Sequence, residues 1–263
     1  MATPTTTFLT VDGHKTEVLS GGHDDAPPLV YLHSAGGETD WGPIHEALAV
    51  GFRVVAPAHP GFSYSEGLAD VRSIADMAWR TIDALAELGL SGVPAVGFSL
   101  GGWVAAEAAV LRPGLFSRMA LVNPAGVRVE GHPMGDLFQD DFDALRNLLF
   151  RAPDDLETVG RAMPLSMDDA RILPWLKARE ATARVGWNPL LHNPRLPRHL
   201  RRVECPTLVA HARHDRLLPL AGGELFAQEI PGARLHVVED AGHMWPWERP
   251  EEFGEVVRGF LAE

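Results

Sequence analysis

The stretch AVGFSLGGWVAAEAA, residues 95–109, passes from apolar residues typical of a buried strand into residues that favour a helix. A single serine, Ser99, lies at the junction, with Gly97 before it and Gly101 and Gly102 after it. Glycine at these positions indicates a turn in which strand and helix approach each other closely. The spacing G-x-S-x-G is typical of a sharp turn that exposes a serine hydroxyl above a sheet, but it also occurs in ordinary tight turns. Motifs elsewhere in the chain are needed to distinguish an exposed nucleophile from an ordinary tight turn.

Composition limits the classes of partner. The chain has 263 residues, 46% of them hydrophobic, which is enough for one large, well-buried domain. The net charge of −12 disfavours binding to nucleic acids or anionic membranes. The single cysteine, Cys205, excludes an internal disulfide, and no signal peptide or membrane-spanning run is recognisable. We therefore expect a cytoplasmic protein that acts on a small molecule, and the sequence leaves a homodimer open.

Short apolar segments alternate with helix-like segments along most of the chain. The apolar segments are typical of strands buried on both faces of a parallel sheet, and they cover residues 27–34, 52–58, 93–99, 118–125, 205–212 and 233–241. The clearest helix begins after Ser73, which forms a capping box with Asp76, and ends at Gly89. Further helices are predicted directly after Ser99 and over residues 221–230 and 250–261. Residues 5–11 and 15–19 alternate in polarity and predict an antiparallel hairpin at one edge.

These elements predict an α/β fold, with a mostly parallel twisted sheet and helices on both of its faces. Residues 126–200 break the alternation, because short helical segments interrupted by proline or glycine replace the strands there. We therefore expect a core domain formed by residues 1–125 and 201–263. Residues 126–200 are predicted to form a helical cap, or lid, inserted between two strands.

A serine hydroxyl becomes a good nucleophile only beside a base. His243 follows the last predicted strand, in the segment AGHMWPWERPEEF, and Asp215 follows the preceding strand, in HARHDRLLP. With Ser99, both residues lie at carboxyl ends of strands, the edge where parallel sheets bind ligands. The order Ser, Asp, His along the chain favours a catalytic triad of these three residues.

Other polar residues offer weaker candidates. Asp240 precedes His243 too closely to reach the far nitrogen of the imidazole easily. His211 and His214 beside Asp215 lack a second cluster with the spacing of metal ligands, so we expect no metal and no cofactor. His33 and His59 follow strands and are expected to support loops by hydrogen bonding.

The chemistry also requires two N–H donors for the oxyanion that develops during acyl transfer. The backbone N–H of Leu100, directly after Ser99, is one candidate. The second is expected from the loop HSAGGETDW, residues 33–41, whose small residues let backbone N–H groups turn towards the site.

These motifs together resemble the α/β-hydrolase family over essentially the whole chain. The matching segments are LHSAGG (32–37), PAHPGFSYS (57–65), GFSLGG (97–102), HARHDRLLP (211–219) and AGHMWPWERPEEF (241–253). The chain departs from the family pattern at two positions where glycine is usual. Ser34 follows His33 in the first segment, and Ala212 stands three residues before Asp215.

The resemblance implies a role for each candidate residue. Ser99 would be the nucleophile, His243 the base and Asp215 the acid that orients it. The backbone N–H groups of Ala35 and Leu100 would form the oxyanion hole.

The cap is expected to shape the substrate pocket. Its apolar residues fit an apolar acyl or aryl group, and the residues predicted to contact substrate are Ser34, Phe150, Trp175, Trp187 and Met244. Six arginines make the end of the cap basic. A solvated face is the simpler explanation for them, although one could meet a substrate carboxylate; they are Arg179, Arg184, Arg195, Arg198, Arg201 and Arg202.

Three functions remain open from the sequence. The first is a serine hydrolase that cleaves carboxylic esters of small to medium apolar acyl or aryl groups through an acyl-enzyme. The second is a hydrolase of carbon–carbon bonds in vinylogous diketone acids from aromatic ring cleavage, which Trp245 and the cap arginines permit. The third is a ligand-sensing protein on this fold whose turnover is incidental. A serine at position 99 excludes the aspartate-nucleophile chemistry of dehalogenases and epoxide hydrolases.

Overall fold

The computed structural model describes residues 2–263, which form one eight-stranded sheet covered by helices. The strands are β1 (Ala2–Val11), β2 (His14–Gly22), β3 (Pro28–Leu32), β4 (Arg53–Pro57), β5 (Val93–Phe98), β6 (Phe116–Val122), β7 (Thr207–Ala212) and β8 (Arg234–Val238). Their order in the sheet is β1-β2-β4-β3-β5-β6-β7-β8. The hairpin β1–β2 pairs antiparallel and joins β4 antiparallel, and the other neighbouring strands are parallel.

The helices are α1 (Pro43–Ala49), α2 (Ile74–Glu87), α3 (Leu100–Leu111), α4 (Phe142–Leu149), α5 (Leu156–Ala162), α6 (Ile172–Gly186), α7 (Leu196–His199), α8 (Leu220–Glu229), α9 (Trp245–Glu248) and α10 (Pro250–Leu261). Two 3₁₀ turns cover Leu68–Asp70 and Leu200–Arg202. Ser73 caps α2 as predicted. Its hydroxyl accepts the N–H of Asp76, and the Asp76 carboxylate accepts the N–H of Ser73 at 2.8 Å.

Hydrophobic residues fill the space on both faces of the sheet. Successive residues of β3 alternate between the two clusters: Val30 and Leu32 pack with α2, α3 and α8, whereas Leu29 and Tyr31 pack with α1 and α10. This alternation follows from the period of two along a strand. The predicted fold class, with helices on both faces of a mostly parallel sheet, is thereby confirmed.

Residues 126–200 form four helices, α4 to α7, and within the described residues this stretch contains no strand. A single isolated bridge joins Gly126 to His192. We propose that this stretch acts as the cap predicted from the sequence. The 3₁₀ turn at Leu200–Arg202 runs across the predicted boundary, and Leu200 is buried in the same cluster as α3. Among the helices of residues 2–263, none combines the length and the apolar character needed to cross a membrane.

Candidate active site

The turn at Ser99 explains the glycines that surround it. Ser99 has φ 54° and ψ −111°, a backbone conformation that residues other than glycine rarely adopt. A Cβ atom at Gly97 would lie 2.5 Å from the backbone oxygen of Gly101, and a Cβ atom at Gly101 would lie 2.0 Å from the backbone oxygen of Leu32. Side chains at these positions would therefore push α3 away from β5 and β3. The tight turn predicted from the sequence is present, and it places Ser99 at the amino end of α3.

Ser99 and Asp215 each lie within hydrogen-bond distance of His243, and all three residues are buried. The Nε2 atom of His243 is 3.0 Å from Ser99 Oγ, and its Nδ1 atom is 2.6 Å from Asp215 Oδ2. The other carboxylate oxygen of Asp215 accepts the backbone N–H groups of Leu217 and Leu218, at 2.9 and 2.8 Å. These two bonds fix the carboxylate, so that Nδ1 carries the proton and Nε2 is left to accept the serine proton.

The alternative acid, Asp240, lies elsewhere. Its side chain is 76% exposed and forms an ion pair with Arg151 at 2.8 Å. Of the two carboxylates considered from the sequence, it is Asp215 that contacts His243.

Asn123 is a site residue that the sequence analysis did not single out. It directly follows β6, is fully buried, and joins the ends of neighbouring segments through its side-chain amide. Its Nδ2 donates to the backbone oxygen of His243 at 2.7 Å, and its Oδ1 accepts the backbone N–H of Ala212 at 2.8 Å. Asn123 thereby ties the histidine loop to the end of β7. Its position at the carboxyl end of a buried strand was a signal that could have identified it.

The loop after β3 brings a free backbone N–H group to the site. Among residues 34–37, the N–H of Ala35 is the one without an acceptor in the described part of the chain. Ala35 lines the cavity next to Ser99. The N–H of Leu100, the first residue of α3, likewise has no acceptor within residues 2–263. Two unpartnered donors on the two sides of Ser99 are suited to bind an oxyanion.

His33 and His59 support this loop. His33 Nδ1 donates to the backbone oxygen of Ser34 at 2.8 Å, and its Nε2 accepts the backbone N–H of His59 at 3.0 Å. Burial lowers the pKa of His33 to about 4, although its bond to Ser34 opposes the shift. The imidazole is therefore neutral at pH 7 and can accept the N–H of His59. His211 is also fully buried and bonds to the backbone oxygen of Leu218 at 2.8 Å. Within the described residues, no group of three or more potential ligands could hold a metal ion.

A mostly apolar cavity opens next to Ser99 and His243. Its wall comes from the loop after β3, from the cap and from the segments around Asp215 and His243; the lining residues are Ser34, Ala35, Gly36, Ser99, Leu137, Phe138, Leu145, Leu149, Phe150, Ala162, Met163, Trp175, Arg179, Thr182, Leu217, His243 and Met244. Four of the five residues predicted to contact substrate are among them, namely Ser34, Phe150, Trp175 and Met244.

Two of the tryptophans considered from the sequence, Trp187 and Trp245, lie outside this cavity. Trp187 was predicted to contact substrate, but its side chain is 62% exposed and packs edge-on against Phe138, with ring centroids 5.1 Å apart. It is the C-cap residue of α6 and is absent from the lining of the cavity. The sequence permits carbon–carbon hydrolysis partly because of Trp245. This side chain is fully buried against Phe253 and does not line the cavity.

Arg179 brings a positive charge to the cavity. Its guanidinium donates to the backbone oxygens of Leu137 and Gln139, at 2.9 and 2.8 Å, and stacks 4.5 Å from the ring centroid of Trp175. Burial lowers the pKa of Arg179, and the charges of nearby Asp136 and Asp140 act against this shift. Arginine remains charged in proteins despite such shifts. Within the described residues, no carboxylate lies within ion-pair distance of this guanidinium.

Comparisons with known proteins find a matching family and similar enzymes. The model of the alpha/beta hydrolase family matches residues 29–256. The chain is 30% identical to 2-hydroxymuconate semialdehyde hydrolase of Pseudomonas putida, over 94% of each chain. It is 27% identical to a 2-hydroxy-6-oxononadienedioate/2-hydroxy-6-oxononatrienedioate hydrolase of Klebsiella pneumoniae, over 98% of this chain and 96% of the relative.

The crystal structure of an esterase from Exiguobacterium antarcticum superimposes with a TM-score of 0.79, covering 98% of this chain and 99% of the esterase at 22% identity. At that identity the likeness shows the fold alone. The family model covers most of the chain and all three of the hydrogen-bonded side chains, so this chain belongs to the alpha/beta hydrolase family.

Proposed function

We propose that this protein hydrolyses a carbon–carbon bond in a vinylogous diketone acid of the kind formed by aromatic ring cleavage. The sequence alone favours ester hydrolysis, with this reaction as the alternative. Two full-length relatives at 27–30% identity bear the names of hydrolases of 2-hydroxymuconate semialdehyde and of 2-hydroxy-6-oxo-dienedioates. These names support the alternative, because they denote conjugated oxo compounds of this class.

Arg179 is the observation in the structure that carries the proposal. A guanidinium has five N–H donors, and two of those of Arg179 are taken by backbone oxygens, so that others are free to bind a carboxylate. Charge-assisted bonds from arginine to a carboxylate are strong and geometrically specific. A keto acid would supply a carboxylate at ion-pair distance from Arg179, inside a mostly apolar cavity. A neutral ester would leave the guanidinium with only the more distant charges of Asp136 and Asp140.

The contacts around Ser99 allow the reaction to be written step by step. Ser99 Oγ attacks the ketone carbon while His243 Nε2 takes its proton, and the N–H groups of Ala35 and Leu100 bind the oxyanion. The carbon–carbon bond of the 2-oxo tautomer, to which a 2-hydroxy-dienoate converts by moving a proton from its enol oxygen to the carbon of the scissile bond, then breaks. Its electron pair moves through the adjacent alkene into the ketone of the keto-acid end. His243 returns its proton to that leaving group. Water, activated by the same imidazole, hydrolyses the acyl-enzyme to a carboxylic acid and frees Ser99.

Arg179 also fits the second half of this reaction. A carbon leaving group departs only if the electron pair that it takes is delocalised. The conjugated chain ends in the carboxylate that Arg179 would hold, so the guanidinium lies where the released charge spreads.

Ester hydrolysis is the second candidate, because the apolar lining beside Ser99 also suits an acyl chain. The same serine, imidazole and N–H groups would serve it, with an alkoxide as leaving group. A purely ligand-sensing role would not require the buried imidazole of His243 to bond to both Asp215 and Ser99.

Arg179→Gln tests the choice of substrate. We expect kcat/KM for a 2-hydroxy-6-oxo-dienoate to fall by about 10- to 100-fold, mainly through KM, because a bond to a charged group is worth roughly 1.5–3 kcal/mol. Hydrolysis of neutral 4-nitrophenyl acetate should change by less than about threefold. The matched control is Arg184→Gln, an exposed arginine on the same helix that lies outside the cavity.

Both substrates are measured with both variants by stopped-flow or steady-state absorbance. A wild-type enzyme that cleaves the esters and leaves the dienoate untouched would disprove carbon–carbon hydrolysis. An equal loss on both substrates would show that Arg179 has a structural role instead.

Trp175→Ala tests the cap as the wall of the substrate site. Trp175 lines the cavity and stacks on Phe142, with ring centroids 5.4 Å apart. Each methylene in a hydrophobic pocket is worth about 1–3 kcal/mol. The ratio of kcat/KM between long and short acyl substrates should therefore shift by roughly tenfold or more in Trp175→Ala.

Trp187→Ala is the matched control, because Trp187 is a tryptophan at the end of the same helix that lies outside the cavity. Its profile over acyl lengths should equal that of the wild type. If both variants kept the wild-type profile and only their melting temperatures fell, the cap would not select the substrate.

A further inference from the structure

Glu38 carries a buried carboxylate in the loop between β3 and α1, close to the active site. Its side chain belongs to a residue that is only 7% exposed, and within residues 2–263 it has no cationic partner at ion-pair distance. A buried carboxylate is costly unless hydrogen bonds compensate for the water that it has lost. The donors that surround Glu38 therefore indicate what it holds in place.

Those donors come from Ser34 and Tyr31. The backbone N–H of Ser34 donates to Glu38 Oε2 at 2.6 Å, and the hydroxyl of Ser34 donates to Glu38 Oε1 at 2.5 Å. The hydroxyl of Tyr31 lies 3.4 Å from Oε2, a longer contact. One carboxylate thus binds both the backbone and the side chain of Ser34, which fixes the orientation of that residue.

Ser34 in turn fixes the rest of the turn. Its Oγ accepts the N–H of Gly36 at 3.0 Å, and its backbone oxygen accepts the N–H of Gly37 at 3.0 Å. The N–H groups of residues 34, 36 and 37 are therefore all occupied within the loop. That of Ala35, between them, has no acceptor in the described part of the chain, and Ala35 lines the cavity beside Ser99.

The two bonds to Ser34 require that both terminal side-chain atoms of residue 38 accept hydrogen bonds. The single hydroxyl proton of Ser34 goes to Oε1, which leaves its oxygen free to accept from Gly36. A glutamine would have to point its NH₂ group at one of the two donors of Ser34. Either that donor would lose its partner, or the hydroxyl would rotate and disturb its bond with Gly36.

We infer that Glu38 is a positioning residue of this enzyme, whose carboxylate clamps Ser34 so that the N–H of Ala35 stays directed at the oxyanion. The inference rests on the proposed role of Ser99 and on the proposed oxyanion hole. It also gives a reason for serine at position 34, where the family pattern has glycine. Here the serine side chain forms one half of the clamp.

Glu38→Gln tests the clamp, with Asp40→Asn as matched control. Asp40 is an exposed acid in the same loop and lies outside the cavity next to Ser99. Removal of one oxyanion donor lowers kcat by about 10²–10³. We expect Glu38→Gln, which displaces such a donor, to lower kcat by about 10- to 100-fold and to change KM by less than about threefold. Asp40→Asn should leave both unchanged.

A second measurement needs no knowledge of the natural substrate. The rate at which a fluorophosphonate labels Ser99 depends on the same N–H donors, because negative charge develops on the phosphoryl oxygen. We expect this rate to fall in Glu38→Gln by the same factor as kcat. Ser34→Ala should lower it similarly, and the double variant should be little worse than either single one, because both changes break one clamp. If Glu38→Gln does not fold, Ser34→Ala alone provides the test.

The outcomes separate this inference from the proposed function. If a fluorophosphonate fails to label Ser99 in the wild type, the proposed nucleophile is wrong. If the wild type is labelled and Glu38→Gln is labelled equally fast, only the clamp is wrong. If Glu38→Gln lowered the melting temperature but left kcat and the labelling rate unchanged, Glu38 would stabilise the fold without positioning Ala35. That result would likewise overturn the inference.

Discussion

Ser99→Ala is expected to fold like the wild type and to lose at least about four orders of magnitude in kcat. The substitution removes the oxygen that lies 3.0 Å from His243 Nε2 and changes no contact of the sheet. Activity that survives would come from the oxyanion donors and the binding site, which alone give only a small part of the rate acceleration. Single-turnover assays with the dienoate and with a 4-nitrophenyl ester measure the loss, and mass spectrometry after fluorophosphonate treatment locates the label.

Ser63→Ala serves as the control for Ser99→Ala. Ser63 is also a serine in the left-handed region, with φ 48°, but it does not line the cavity next to Ser99. It should keep wild-type kcat and leave the label on Ser99. If Ser99→Ala retained a tenth of the wild-type activity, another nucleophile would have to be sought.

Asp215→Asn is expected to lower kcat by about three to four orders of magnitude. The carboxylate accepts the Nδ1 proton of His243 at 2.6 Å, and this bond keeps Nε2 unprotonated towards Ser99. An asparagine amide can present its NH₂ to the ring and so favour the wrong tautomer, an effect of about 10⁴ in a protease triad of the same geometry. The backbone N–H groups of Leu217 and Leu218 that hold the second oxygen favour this orientation, because they keep the acceptor end on their side.

Asp240→Asn is the matched change at the neighbouring acid. Asp240 is exposed and paired with Arg151, so kcat should stay within about threefold of the wild type. Both variants are compared by kcat at constant pH and by melting temperature. A severe loss in Asp240→Asn together with a mild loss in Asp215→Asn would mean that the wrong carboxylate has been assigned to His243.

The sequence predicts the fold and the meeting of Ser99, Asp215 and His243 for one reason. Ser99 directly follows β5, and Asp215 and His243 lie on the short loops after β7 and β8. Parallel strands bring their carboxyl ends to one edge. Such a rule needs no knowledge of distant contacts. The same rule would also have predicted Asn123 as a residue of the site, because it directly follows β6. Helices α1 and α9 were missed because seven and four residues are too few to show a helical period.

The cavity wall could not be predicted in the same way. Trp175 and Trp187 both belong to the region of α6, yet the first lines the cavity and the second is exposed. They are separated by about a third of a turn around the helix axis, and which of the two faces the site depends on how α6 packs on the core. The role of Glu38 depends likewise on the folded path of a loop that brings residues 34 and 38 together. A single acidic residue in a polar segment of sequence does not indicate that it will bond to the residue four positions before it.

The groups that bond to one another around Ser99 and the side chains that line much of the cavity come from separate stretches of chain. His243, its two bonded partners Ser99 and Asp215, and the two free N–H groups all come from outside residues 126–200. Arg179 and Trp175, which face the same cavity, come from inside it. Substitution of cavity-lining side chains such as these can therefore change which molecule is held without replacing any group that contacts Ser99 or His243. Insertions and deletions are not equivalent, because the backbone oxygen of Leu149 accepts the N–H of Met244, next to His243. Evolution can therefore alter the substrate range of this protein by exchanging single side chains of the cavity wall, with Ser99, Asp215 and His243 left unchanged.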